Sequence, residues 1–98
     1  MNRMMVRYRV RPECAEENER LVRAVFEELA AECPEGFSYQ SMVLSDGVTF
    51  VHVVDGDSTV LPEMPAFQRF VADVGARCED QPQQTSVRIV GSYEGRTS

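Results

Sequence analysis

Gly36-Phe37-Ser38-Tyr39-Gln40-Ser41-Met42-Val43-Leu44-Ser45-Asp46-Gly47-Val48-Thr49-Phe50-Val51-His52-Val53-Val54 is the stretch that decides the fold. Two β-rich runs flank Asp46-Gly47, the dipeptide that most strongly marks a tight hairpin because a type I′ turn needs positive φ at both central residues. A two-residue turn there predicts Val43 opposite Phe50 and Ser41 opposite His52. Outward from this hairpin lie two helical patterns. Glu13 to Cys33 carries Leu21, Val22, Val25, Phe26 and Leu29 on one stripe, and its first turns are acidic, which suits the helix dipole. Pro65 opens a second pattern with Phe67, Phe70, Val71, Val74 and Cys78 as its stripe. The ends alternate with period two: Met4 to Arg11, stopped by Pro12, and Thr85 to Tyr93. Asp80 to Gln83 reads as a loop. The order is β-α-β-β-α-β, which predicts an α+β, ferredoxin-like domain over residues 1–98: a four-stranded antiparallel sheet with two helices on one face.

Composition narrows the classes. Ninety-eight residues make one domain with a thin core. The net charge of −6 disfavours nucleic acid and anionic membrane surfaces as partners. All ten basic residues are Arg, the side chain suited to fixed bidentate contacts. No apolar run approaches the roughly 20 residues of a membrane span, and the N-terminal residues lack a signal-peptide pattern. Cys14, Cys33 and Cys78 form neither a disulfide framework nor a zinc motif, so a reducing, cytoplasmic setting is expected. There is no Gly-rich phosphate loop and no Ser-His-Asp constellation.

Alternation divides each strand between two faces. Met4, Val6, Tyr8 and Val10 form one apolar set. Met42 with Leu44, Val51 with Val53, and Val87 with Ile89 are expected to join it beneath the helices. The opposite set is mixed: Arg7, Arg9 and Arg11; Tyr39, Ser41 and Val43; Phe50 and His52; Ser86, Arg88 and Val90. With Val43, Phe50 and Val90 exposed on a helix-free face, a self-complementary contact with a second copy is expected, giving a homodimer.

The order of elements, the chain length and this second face resemble the dimeric α/β-barrel superfamily of ferredoxin-like domains. Within it the chain is most similar to antibiotic-biosynthesis-monooxygenase-like domains of an uncharacterised bacterial branch. The residues that carry this are Val6-Arg7-Tyr8-Arg9-Val10-Arg11-Pro12, Ala15-Glu16-Glu17-Asn18-Glu19, Asp46 to Val53, and Leu61-Pro62 through Pro65-Ala66-Phe67. The resemblance implies a cofactor-independent monooxygenase-like enzyme acting on an aromatic or polyketide-like small molecule in the cleft. The alternative is a non-catalytic module that binds a small molecule or associates with itself. Haem-degrading members of the superfamily use Asn, Trp and His. This chain has no Trp, and its asparagines are Asn2 and Asn18. No cofactor is therefore expected.

The site residues follow from the face assignment. His52, the one histidine, is the candidate catalytic group, as a general base or, when protonated, as an anion donor. Arg7, Arg9 and Arg88 would converge from neighbouring strands on a ligand anion or on acidic groups of the second copy. Tyr39 would orient a phenolic ligand, with Ser41 as a further donor and Phe50 as the apolar floor. A single histidine with no carboxylate near it on its face predicts no metal site.

Overall fold

A computed structural model describes residues 3–95; Asn2 lies outside the described residues. The chain runs β1 (Arg3–Val10), a 3₁₀ turn (Pro12–Cys14), α1 (Ala15–Glu32), β2 (Phe37–Val43) and β3 (Thr49–Gly56). A second 3₁₀ turn (Leu61–Glu63), α2 (Pro65–Ala72), the single-turn α3 (Val74–Arg77) and β4 (Cys78–Val87) follow. The strands form one antiparallel sheet in the order β2-β3-β1-β4, with the helices on one face. This is the expected ferredoxin-like architecture. Among the described residues no helix is long and apolar enough to cross a membrane.

The hairpin has the expected register, Val43 opposite Phe50 and Ser41 opposite His52. Its turn is of another kind. Gly47 has φ of 76° but Asp46 does not have positive φ, so the turn is not type I′. Gly47 N–H donates to Leu44 O at 2.9 Å, and the Asp46 carboxylate accepts from the Val48 and Thr49 amides and the Thr49 hydroxyl. A side chain that satisfies three donors leaves only glycine needing the left-handed region.

Helix α1 ends in Cys33, which adopts the left-handed conformation (φ 51°) and donates its N–H to Leu29 O before Pro34 stops the chain. Glu28 of α1 accepts the Ala66 amide at 2.8 Å, so a carboxylate on one helix caps the N-terminal turn of the other. The core is the layer between the helices and the sheet: Val22 and Val25 of α1 and Ala66 and Phe70 of α2, against Tyr8, Val10, Phe50 and Cys78.

Two expectations are corrected. The final strand begins seven residues earlier than its alternation suggested. Asp80 to Gln83 is strand, Cys78 is its first residue opposite Val10, and the last described pair is Val87 with Arg3. Ile89, Val90 and Tyr93 lie beyond it and are exposed. As an edge strand, β4 is held by backbone pairing to β1 and needs no apolar face. Pro82 sits where the ladder shifts register, a position that tolerates its missing N–H.

The second correction concerns the faces. Val6 pairs with His52 and Tyr8 with Phe50. Residues directly opposite share a face, so Phe50, His52 and Val54, with Tyr39, Ser41 and Val43 across from them, lie under the helices beside Tyr8. Met42, Val51, Val53 and Val87 fall instead on the open face with Arg7 and Arg9. Phe50 and Val43 therefore do not supply an apolar surface on the helix-free side. Apolar residues there include Met5, Met42, Val51, Val53 and Val87.

Candidate functional site

Putting His52 under the helices creates the site. A cavity of about 500 Å³ opens between α2 with its preceding 3₁₀ turn and the covered face of β1, β2 and β3. Val6, Val54, Leu61, Phe67 and Phe70 contribute its apolar walls, and among the described residues no charged one lines it. Tyr8, Tyr39 and His52 form its polar floor. β1, β3 and β2 are consecutive in the sheet, so these three side chains stand in a row across it.

They are linked by hydrogen bonds. The Tyr8 hydroxyl meets His52 Nε2 at 2.8 Å, and His52 Nδ1 meets the Tyr39 hydroxyl at 2.8 Å. The row continues into the protein. Asn18 Nδ2 donates to the Tyr8 oxygen at 2.9 Å, and Arg77 Nε donates to Asn18 Oδ1 at 3.1 Å. Arg77 also donates to Phe70 O at 2.9 Å, and its guanidinium carbon stands 5.6 Å from the Phe70 ring centroid. Asn18 is fully buried and Arg77 is 5% exposed. Arg77 thus meets the last turn of α2 at a carbonyl, where helix polarity favours a cation.

Burial sets the electrostatics. Desolvation lowers the His52 pKa from 6.5 to about 4, so the ring is neutral at neutral pH. Desolvation raises both tyrosine hydroxyls well above 10; for Tyr8 the hydrogen bond from Asn18 partly opposes this. All three groups are consequently neutral and act through hydrogen bonds. The rings pack closely: Tyr8 stacks on His52 with centroids 5.4 Å apart, and Phe26 lies 4.8 Å from Tyr39.

Of the residues singled out in the sequence, Tyr39 and His52 are brought together here. Ser41 and Phe50 share their face of the sheet but line a separate, open groove of about 610 Å³ between α1 and β2, which lacks the tyrosine-histidine row. Arg7 and Arg9 are on the opposite face, where Arg9 pairs with Asp80 at 3.1 Å and Glu79 at 3.6 Å. Arg88 lies past the end of β4. Arg7 and Arg9 do not join His52, because the β1–β3 register separates them from it by the thickness of the sheet. Asp55 pairs with Arg3 at 2.8 Å. Among the described residues no group of three or more His, Cys, Asp or Glu side chains could hold a metal ion.

Tyr8, Asn18 and Arg77 are the members of the row that the sequence reading did not single out. A signal for two of them was present. Asn18 precedes Val22 and Val25 by four and seven residues, and Arg77 follows Phe70 and Val74 by seven and three. Each is a polar residue on an apolar helical stripe, a place where burial requires a partner.

No family model and no curated protein sequence matches the chain. Solved structures do. An antibiotic biosynthesis monooxygenase superposes with a TM-score of 0.73 at 20% identity, covering 93% of this chain and 100% of the other. A protein from Mycobacterium tuberculosis gives 0.71 at 19% identity over 95% and 98%. An antibiotic biosynthesis monooxygenase candidate from Caulobacter crescentus gives 0.68 at 20% identity over 92% and 90%. The chain therefore has the ferredoxin-like fold of antibiotic biosynthesis monooxygenase domains, along nearly its whole length.

Proposed function

We propose that the chain is a homodimeric, cofactor-independent monooxygenase-like enzyme that takes an uncharged aromatic or polyketide-like molecule into the cavity beneath α2. The observation that carries this is the hydrogen-bonded row Tyr8–His52–Tyr39 on the floor of a mainly apolar cavity of about 500 Å³, whose lining also includes Ser58 and Gln84. Concave apolar pockets with a few convergent polar groups are the usual form of a small-molecule site. The absence of charge from its walls favours a neutral ligand over the anion that the arginines had suggested. Likeness in fold to proteins named monooxygenases supports the reaction class.

The chemistry asked of the residues is modest. A phenolic ring can itself supply the four electrons that dioxygen accepts. One oxygen atom becomes a new ring carbonyl, the other leaves as water, and the phenol becomes a quinone. Negative charge develops on the ligand oxygen as its proton passes to the dioxygen being reduced, which ends as the departing water. Tyr39 is placed at the cavity end of the row, where a hydroxyl can donate to that oxygen in a water-poor setting. His52, neutral and held between two hydroxyls, fixes Tyr39 in place.

The test uses 1-naphthol as probe. Binding should raise the melting temperature of the wild-type protein, and naphthol-dependent oxygen uptake should follow. Tyr39→Phe should keep the fold and lose at least roughly tenfold in affinity or rate, the size of one hydrogen bond to a charged oxygen. A wild-type protein that neither binds the probe nor consumes oxygen with it sinks the enzymatic reading for phenols. Equal behaviour of Tyr39→Phe removes Tyr39 from the site.

A further inference from the structure

The row of hydrogen bonds has a direction, and its buried end sets it. Arg77 has only donors, so the Asn18 atom facing its Nε is the carbonyl oxygen, and the amide nitrogen must face Tyr8. Asn18 therefore donates to the Tyr8 oxygen. The Tyr8 hydroxyl proton then needs an acceptor. Tyr8 is 2% exposed, and besides Asn18 its hydroxyl meets His52 Nε2. If Nε2 carried the ring proton instead, two donors would point at one hydroxyl oxygen and the tyrosine proton would be buried without a partner, which is the costlier arrangement. So Tyr8 donates to Nε2. The neutral ring has one proton, which must be on Nδ1, and Nδ1–H donates to the Tyr39 oxygen. The Tyr39 proton is left to point away from the row, into the cavity.

We propose that Arg77 and Asn18 are positioning residues that fix the proton direction of the Tyr8–His52–Tyr39 row, so that Tyr39 offers a hydrogen-bond donor and the cavity selects uncharged ligands bearing an acceptor oxygen. The selectivity rests on the cavity being the ligand site; the proton direction does not. Asn18→Asp is the informative change, because it is isosteric. Its carboxylate would still accept from Arg77 but could no longer donate to Tyr8. It would accept the Tyr8 proton. Tyr8 would then accept from Nε2–H, and Nδ1 would take the proton of Tyr39. The whole row reverses, and Tyr39 presents only an acceptor.

His52 is the sole histidine, so long-range ¹H–¹⁵N spectra of the uniformly labelled full chain report its tautomer without ambiguity. At pH 7 the wild type should show Nδ1–H and Asn18→Asp should show Nε2–H. A wild-type ring protonated on Nε2 overturns the proton direction whether or not any variant folds. A folded Asn18→Asp that keeps Nδ1–H removes Asn18 as its determinant. Selectivity is read by titrating 2-acetonaphthone, which only accepts, and indole, which only donates. The wild type should prefer the ketone, and Asn18→Asp should shift the ratio of affinities roughly tenfold or more toward indole. An unchanged ratio overturns the selectivity. Binding of neither probe to the wild type overturns the ligand-site reading and the selectivity with it, while the tautomer still decides the direction of the row.

Discussion

The buried histidine should make the protein acid-sensitive in a defined window. In the folded state the His52 pKa is lowered to about 4, against 6.5 for the free side chain, because burial disfavours the cation. Between these values the unfolded chain binds a proton that the native state does not. Stability therefore rises with pH through this window: its full contribution is present above about 6.5 and is lost as pH falls toward 4. Each unit of pKa difference corresponds to about 1.4 kcal/mol, so the drop amounts to about 3 kcal/mol. The residue is 3% exposed, which leaves little solvent screening to reduce this. The Asp46 and Asp57 carboxylates are held below 3.8 by their hydrogen bonds to Thr49 and Thr59, so their contributions are lost in a lower range, as pH falls below that value. The assay is urea unfolding at intervals from pH 7.5 to 4.5, in parallel with His52→Gln. The wild type should lose stability steeply below pH 6.5, and the variant should be weaker at pH 7 but flatter with pH. Equal slopes in the two proteins would refute the argument that burial, unrelieved by a carboxylate, controls this ring.

Tyr8→Phe removes the hydroxyl between Asn18 Nδ2 and His52 Nε2, leaving buried groups without partners; it should cost about 2–4 kcal/mol in urea unfolding, and a loss under 1 kcal/mol would mean the row is not held as described. Gly56→Ala should cost about 2–4 kcal/mol, because a Cβ there would stand 2.5 Å from Gly36 O at a φ of 95°, whereas Gly47→Ala, at φ 76° with nothing within 4 Å, should cost only about 1–2 kcal/mol; the opposite order in thermal melts would contradict it. Light scattering at micromolar concentration should give about twice 11.1 kDa, with Val51→Glu on the open face shifting the mass toward the monomer; a monomeric wild type would remove the dimer from the proposed function.

The element order, the antiparallel sheet and the hairpin register were legible in the sequence. They rest on local signals: period-two runs, two apolar helical stripes, and a turn dipeptide whose backbone demands are met within a few residues. Gly47 and the Asp46 carboxylate set that turn with no help from the rest of the chain. Which face of β3 is buried was not legible. Phe50, His52 and Val54 alternate with Val51 and Val53, so both faces are apolar enough to be the inner one, and no property of β3 alone distinguishes them. The choice is made where β3 meets β1, in the pairing of Val6 with His52, a contact between residues 46 apart in the chain. β4 escaped local reading for a related reason: Cys78 to Val87 is strand because β1 offers it backbone partners, while the more strand-like Ile89 and Val90 lie past the last described pair, Val87 with Arg3. The candidate site inherits both decisions. His52 and Tyr39 are visible as residue types, and Asn18 and Arg77 as polar positions on apolar stripes. Their union with Tyr8 into one directed row depends on five elements stacked at a given register, which only the tertiary structure decides, because backbone pairing is indifferent to side-chain identity until the two faces of the sheet are assigned.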